Sequence, residues 1–390
     1  MNRITITIIA TIALILLATI VVISLARGYQ IDFTKKEFSS TGILVATSDP
    51  DGAEVLINGK LKTATNNTIN LPPGIYKVKI VKDGFTPWEK EITIKKEEVF
   101  KTNAFLFPSV PDLRPMTLTG AINPASSPDN FRIAFGVASA SAEKNGIWIV
   151  DTGRIISGGS IFSGADFRQI YQDTAGLSLS QSKLIWSPDS REIIASVGAN
   201  LTVLLQTDRN NDQPIFVTNN IKTIFSEWNE QTIVKNKAQT NKLQPGLQAL
   251  LATTSANVRF SPDETKILYQ ATASASLPPI LTTYLPGSNP TLQTRQLVSG
   301  KNYVYDIKED RNYLINDSVV WFPSSRHLLS SSNSQISIME YDGTNKALIY
   351  AGPFKSGFVL SWPNWSKIVI LTSLNNLPGA QENLYTVNLR

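Results

Sequence analysis

The 390-residue sequence contains no cysteine and a single histidine, His327. Disulfides, thiolate zinc sites and cysteine nucleophiles are thereby excluded, and so is a metal site built on several histidines. Charge is also scarce: Asp, Glu, Lys and Arg make up 17% of the residues, against roughly 25% in an average soluble protein. Ser, Thr, Asn and Gln fill the deficit. The net charge of +5 divides into +2 over residues 1–41, +1 over 42–107 and +2 over the remainder. No basic block emerges of the kind nucleic-acid binding requires, so nucleic acid is not an expected partner. A Gly-x-Ser-x-Gly elbow, a phosphate-cradling Gly-Lys-Ser/Thr and a dinucleotide glycine fingerprint are all missing. No catalytic, cofactor-binding or metal-ligating residue is expected, and no cofactor.

One long apolar run is present. Ile4 to Ala26 carries no charge, and as a helix it would rise roughly 34 Å, enough to cross a bilayer. Arg3 on one side and Arg27, Lys35 and Lys36 on the other would lie among headgroups. Residues 1–27 are therefore expected to be a transmembrane anchor, with no other helix in the chain to receive it. Ser24 and Ala26 keep a cleaved signal peptide open as the alternative, although the run exceeds a usual signal core. Residues 28–41 read as a polar linker.

From residue 42 the pattern alternates with period two and is punctuated by turns. Gly42–Thr47 reads as a strand, Ser48–Ala53 as a turn and Glu54–Ile57 as a strand running into Asn58-Gly59, a pair suited to the positive φ angles of a type I′ hairpin. Pro72-Pro73-Gly74 supplies another turn. Tyr76, Val78 and Ile80 then alternate with Lys77 and Lys79, and Ile92 and Ile94 mark a last strand. These features resemble the PEGA domain over residues 42–107. Its name-giving tetrad stands here as Pro50-Asp51-Gly52-Ala53, followed by Asn58-Gly59, Pro73-Gly74-Ile75-Tyr76 and Asp83-Gly84-Phe85. The resemblance implies a small β-sandwich used as a binding or spacer module, placed outside the cytoplasm. The lysines at 77, 79, 82, 95, 96 and 101 read as a solvated face balanced by Glu89, Glu91, Glu97 and Glu98. Trp88 reads as core.

Residues 112–390 carry an internal repeat. Ser127-Pro128-Asp129, Trp186-Ser187-Pro188-Asp189 and Phe260-Ser261-Pro262-Asp263 each precede an aliphatic strand. Trp321-Phe322-Pro323-Ser324, Trp362-Pro363-Asn364 and Phe225-Ser226-Glu227-Trp228 are looser copies. Where proline is present it sets φ in a tight turn, and Asp or Ser can accept a local backbone hydrogen bond there before the chain returns antiparallel. The grammar resembles TolB-type, WD-like β-propeller repeats, and about 275 residues over six copies gives roughly 46 each, a blade's length. Thr223 to Thr254 forms the weakest blade, and Met116–Thr119 beside Leu384–Leu389 would close the ring.

The fold class expected is therefore all-β: an N-terminal transmembrane helix, a PEGA-like sandwich and a propeller of about six blades. Trp186, Phe260, Trp321 and Trp362 read as blade packing, His327 as a strand residue and Asp208–Asp212 as a polar loop. The function expected is a membrane-anchored envelope protein whose propeller binds a protein or polysaccharide outside the cytoplasm. A propeller-class enzyme acting on envelope glycans and a structural surface-layer spacer are the alternatives. The enzyme would need two or more carboxylates converging at inner strand ends.

Overall fold

A computed structural model describes residues 3–26, 29–32, 37–138, 141–153, 166–198, 200–332, 334–374 and 381–390. Residues 1–107 with 279–292 form one unit, and 108–278 with 293–390 form another.

The first unit opens with helix α1, Arg3–Ala26. Among the described residues, no helix is long and apolar enough to cross a membrane. This overturns the anchor and, with it, the single-pass placement of the body on the non-cytoplasmic side. Arg27, Lys35 and Lys36, expected to flank the span, lie outside the described residues. In the stretch read as a linker, Tyr29–Asp32 pairs antiparallel with Glu37–Ser40.

Beyond it, a four-stranded antiparallel sheet (Lys60–Ala64, Glu54–Ile57, Gly74–Val81, Trp88–Ile94) accompanies a three-stranded one (Val99–Lys101, Gly42–Ala46, Asn67–Leu71). Alternation puts Leu44, Val55, Val78, Ile80, Trp88 and Ile92 into one shared core. Asn58 and Gly59 both take positive φ, 50° and 77°, the I′ geometry their sequence favours. The lysine face is paired as its glutamates suggested, with Lys77–Glu89 at 2.7 Å and Lys95–Glu98 at 3.7 Å.

Among the described residues the second unit holds five four-stranded antiparallel sheets, numbered here in chain order. Sheet one uses Ile122–Ser126, Arg132–Val137, Gly146–Asp151 and Asp166–Gln172; sheet two uses Lys183–Trp186, Glu192–Val197, Leu201–Gln206 and Ile215–Phe216. Sheet three comprises Ser255–Phe260, Lys266–Ala271, Asn302–Asp306 and Arg311–Ile315; sheet four comprises Val319–Trp321, His327–Ser332, Gln335–Glu340 and Ala347–Ala351. Sheet five joins Val359–Ser361, Lys367–Thr372 and Asn383–Asn388 to the far N-terminal strand Leu113–Pro115. The two ends of the unit are thus tied together, as the sequence suggested, by a strand that starts three residues earlier than expected. Apolar clusters join sheet five to sheet one, one to two, and three to four.

The expected third blade is not a sheet. Ile221–Thr240 forms helix α2 and Pro245–Thr254 forms helix α3, so the chain is not all-β and six sheets become five. The reason is legible afterwards. No Gly or Pro interrupts residues 221–244, and Ile221, Ile224, Phe225, Trp228 and Thr232 recur at helical spacing. Pro245 then occupies the first turn of α3, where its missing N–H costs nothing, and Leu247 and Leu251 pack on sheet three.

The five true repeats share one turn. Its fourth residue, Asn130, Ser190, Glu264, Ser325 or Trp365, is left-handed with φ between 57° and 61°. In the three Ser-Pro-Asp copies the Asp accepts from the Ser hydroxyl and from a backbone N–H two residues on, as at Asp189 from Ser187 Oγ (2.6 Å) and Arg191 N (3.1 Å). Burial opposes ionisation of Asp129, Asp189 and Asp263, but the hydrogen bonds from the Ser hydroxyl and the backbone N–H, with a nearby cation, outweigh it and hold each carboxyl below its ordinary pKa. A carboxylate whose folded pKa is depressed contributes stability that is complete above the unfolded value near 3.9 and lost as pH falls through the folded value. Urea midpoints are therefore expected to fall steeply below about pH 4, and the triple Asp→Asn variant is expected to show a lower midpoint at neutral pH and a flatter acid limb. Parallel acid limbs would refute this role.

Candidate functional site

Two of the five sheets are locked to their predecessors by a tryptophan. Trp186, ending the first strand of sheet two, donates from Nε1 to Ala125 O in the first strand of sheet one at 3.0 Å. Trp321, at the same repeat position in sheet four, donates to Arg259 O in the first strand of sheet three at 2.9 Å. Trp362 is also packed, with Lys367 Nζ 4.5 Å from its ring centre. At sheet three the corresponding residue is Phe260, which has no N–H. No such lock can form from sheet three back to sheet two, and here the chain inserts α2.

The result is a cleft of about 590 Å³ between α2 and the repeat turns, within the range of ligand sites. Its floor is Pro128, Trp186, Pro188 and Phe260. Its other wall is one stripe of α2: Phe225, Trp228, Asn229, Thr232, Asn236 and Gln239, with Lys235 beside them. The spacing of three and four residues keeps them on one helical face. Phe225 meets Trp228 edge to face at 5.9 Å. The far end of α2 is fixed by Glu264, which accepts from Gln239 Nε2 at 3.0 Å and Lys242 Nζ at 2.7 Å. Those two donors hold the Glu264 carboxyl below its ordinary pKa.

A second cleft of about 440 Å³ opens where the first strands of sheets one and two begin, beside the approach to sheet five, and is lined by Asn123, Lys183, Lys355 and Phe358 among others. Lys355 is paired there with Glu382 at 3.3 Å. Neither cleft is lined by Asp or Glu, so neither assembles the carboxylate pair that a glycan-cleaving site would need.

The other singled-out residues have structural settings. His327 is buried in sheet four, with Nδ1 2.9 Å from Ser324 Oγ. In the 208–212 loop Asn211 donates from Nδ2 to Ile170 O at 2.9 Å and to Gln206 O at 2.9 Å, stapling sheet two to sheet one. Among the described residues no group of His, Cys, Asp and Glu is placed to hold a metal ion. The α2 stripe was missed in the sequence because Phe225-Ser226-Glu227-Trp228 mimics the repeat; its signal is the uninterrupted helical spacing.

The PEGA domain model matches residues 41–109. No curated protein sequence matches the chain. Similar solved structures include TolB from Acinetobacter baumannii, 11% identical over 80% of this chain and 59% of that one, with a TM-score of 0.23. A putative TolB from Agrobacterium tumefaciens is 12% identical over 77% of this chain and 94% of its own, with a TM-score of 0.20. An oligogalacturonate lyase in complex with manganese is 9% identical over 85% and 82%, with a TM-score of 0.22. The chain spans 59% of the first of these. At such scores the architecture of the second unit is read from its own strand pairing. Residues 41–109 form a PEGA domain, and the cleft belongs to the unit that follows it.

Proposed function

We propose that this chain is a binding or scaffold protein that recognises a protein or polysaccharide partner through its second unit, at the cleft under α2. We also take its five sheets as blades of a propeller-type array, with the helix pair standing where the sequence suggested another blade. The observation that carries the reading is that an aromatic and amide-lined cleft occupies the place between sheets two and three, where Phe260 cannot form the tryptophan bond that joins sheet two to one and sheet four to three. Helices in proteins owe most of their stability to packing of an apolar face, yet Trp228 is the one buried residue among the described residues of α2, and the rest of its stripe lines the cleft. The PEGA domain serves as a spacer or second binding module.

The test is site-specific photo-cross-linking in the full chain. A photoreactive residue at Asn229 or Asn236 is expected to give saturable adducts with a protein or glycan. The same residue at Leu348, exposed on sheet four, is expected to give none. Equal labelling at all three positions would leave the spacer role and remove the binding one.

A further inference from the structure

We infer that the occupant of the α2 cleft is an extended peptide segment of a partner protein, of polyproline-II type, apolar at its centre and acidic on its flanks. The inference rests on the binding role just proposed and narrows it. Three features select a peptide.

The first is the state of the rings. Trp186 and Trp228 are 7% and 8% exposed, Trp186 spends its N–H on Ala125 O, and the Arg132 guanidinium lies 5.5 Å from its ring centre. Neither offers a free flat face on which a sugar ring could lie. The cleft instead presents ring edges and proline rings, with Phe225 38% exposed at its lip. Such a slot accepts an apolar side chain or a proline, as aromatic-lined grooves accept proline-rich segments.

The second is the amide pair. The side chains of Asn229 and Asn236 line the cleft, and each offers both a donor and an acceptor, the complement of a peptide unit. They stand two helical turns apart, about 10.5 Å along α2. Three residues of a polyproline-II chain advance about 9.3 Å and return the same face of the backbone. Side-chain reach spans the remainder, so the two amides can read backbone groups three residues apart.

The third is charge. Among the described residues Lys235 is the one charged residue lining the cleft, and no carboxylate lines it. Glu264 nearby is engaged by Lys242 at 2.7 Å. The carboxylates of the adjoining turns are each offset by a cation, Asp129 by Arg132 and Asp189 by Arg191, so the lining charge of Lys235 favours an acidic over a basic flank.

The experiment selects displayed random peptides of about a dozen residues on the immobilised full chain, with a panel of neutral glycans as a parallel arm. Enriched peptides are expected to carry proline and an aromatic or aliphatic residue beside Asp or Glu. In fluorescence anisotropy the double variant Asn229→Ala/Asn236→Ala is expected to weaken them about tenfold or more, with an unchanged urea midpoint. Lys235→Glu is expected to reverse the flank preference, and repeating the selection on it should enrich Lys and Arg. Enrichment of peptides indifferent to all three substitutions overturns the inference. If neutral glycans bind, no peptide is enriched and the double variant abolishes glycan binding, the peptide is wrong while the cleft's binding role stands. If neither peptides nor glycans bind, both fall.

Discussion

Gly136→Ala is expected to destabilise the second unit by about 3 kcal/mol or more, the largest single effect on folding that the structure implies for so small a change. Gly136 lies inside the second strand of sheet one, paired with Ile147 on one side and Ile122 on the other. A Cβ added there would stand 1.7 Å from Ser180 O and 2.7 Å from its carbonyl carbon. Both obstacles are backbone, so no side-chain rotation relieves the clash, and either the strand or the turn that carries Ser180 must move. Moving it disturbs the cluster that sheets one and two share, which includes Ala134, Ile147, Leu184 and Ile193. Gly59→Ala is the control. It is also an added methyl, at φ 77° but with nothing within 4 Å, and it should cost only about 1 kcal/mol. Urea denaturation of both variants decides the matter: a Gly136→Ala midpoint no lower than that of Gly59→Ala would mean that the sheets do not approach as closely as described.

Gly136 also marks a limit of what a sequence can disclose. Nothing local distinguishes it from an ordinary strand residue, since the partner it makes room for lies more than forty residues away in the chain. By contrast, Asn58-Gly59 and the Ser-Pro-Asp turns were readable because their chemistry is local: backbone angles and hydrogen bonds within six residues. The PEGA domain was readable for the same reason. The helix pair was not, because Phe225-Ser226-Glu227-Trp228 imitates the repeat in composition while its neighbours follow helical spacing. The membrane span failed differently. Apolar content gave the helix, and among the described residues no helix is long and apolar enough to cross a membrane. The cleft itself is a tertiary product, legible only once Phe260 is seen to stand where sheets two and four supply Trp186 and Trp321.

Trp186→Ala is expected to cost about 3–5 kcal/mol, comparable with a large share of a domain's stability. The ring is 7% exposed and belongs to the cluster shared by sheets one and two. Its N–H bonds Ala125 O at 3.0 Å, and Arg132, 5.5 Å from the ring centre, itself donates to Ser190 O at 2.8 Å and Thr207 Oγ1 at 3.0 Å. Removing the indole therefore opens a cavity, orphans a carbonyl and loosens an arginine that bridges the two sheets. Trp186→Phe separates these contributions, since it keeps much of the apolar volume and loses the hydrogen bond, at about 1–2 kcal/mol. Phe260→Trp poses the converse question at sheet three. Phe260 and Ile185, the sheet-two residue at the repeat position of Ala125 and Arg259, both line the cleft, and a tryptophan at 260 should fill it without adding stability. The expected outcome is an unchanged urea midpoint with loss of the adducts formed from Asn229 and Asn236. A clear gain in stability would instead mean that the cleft is a packing defect, and that α2 stands over a gap between sheets and not over a site.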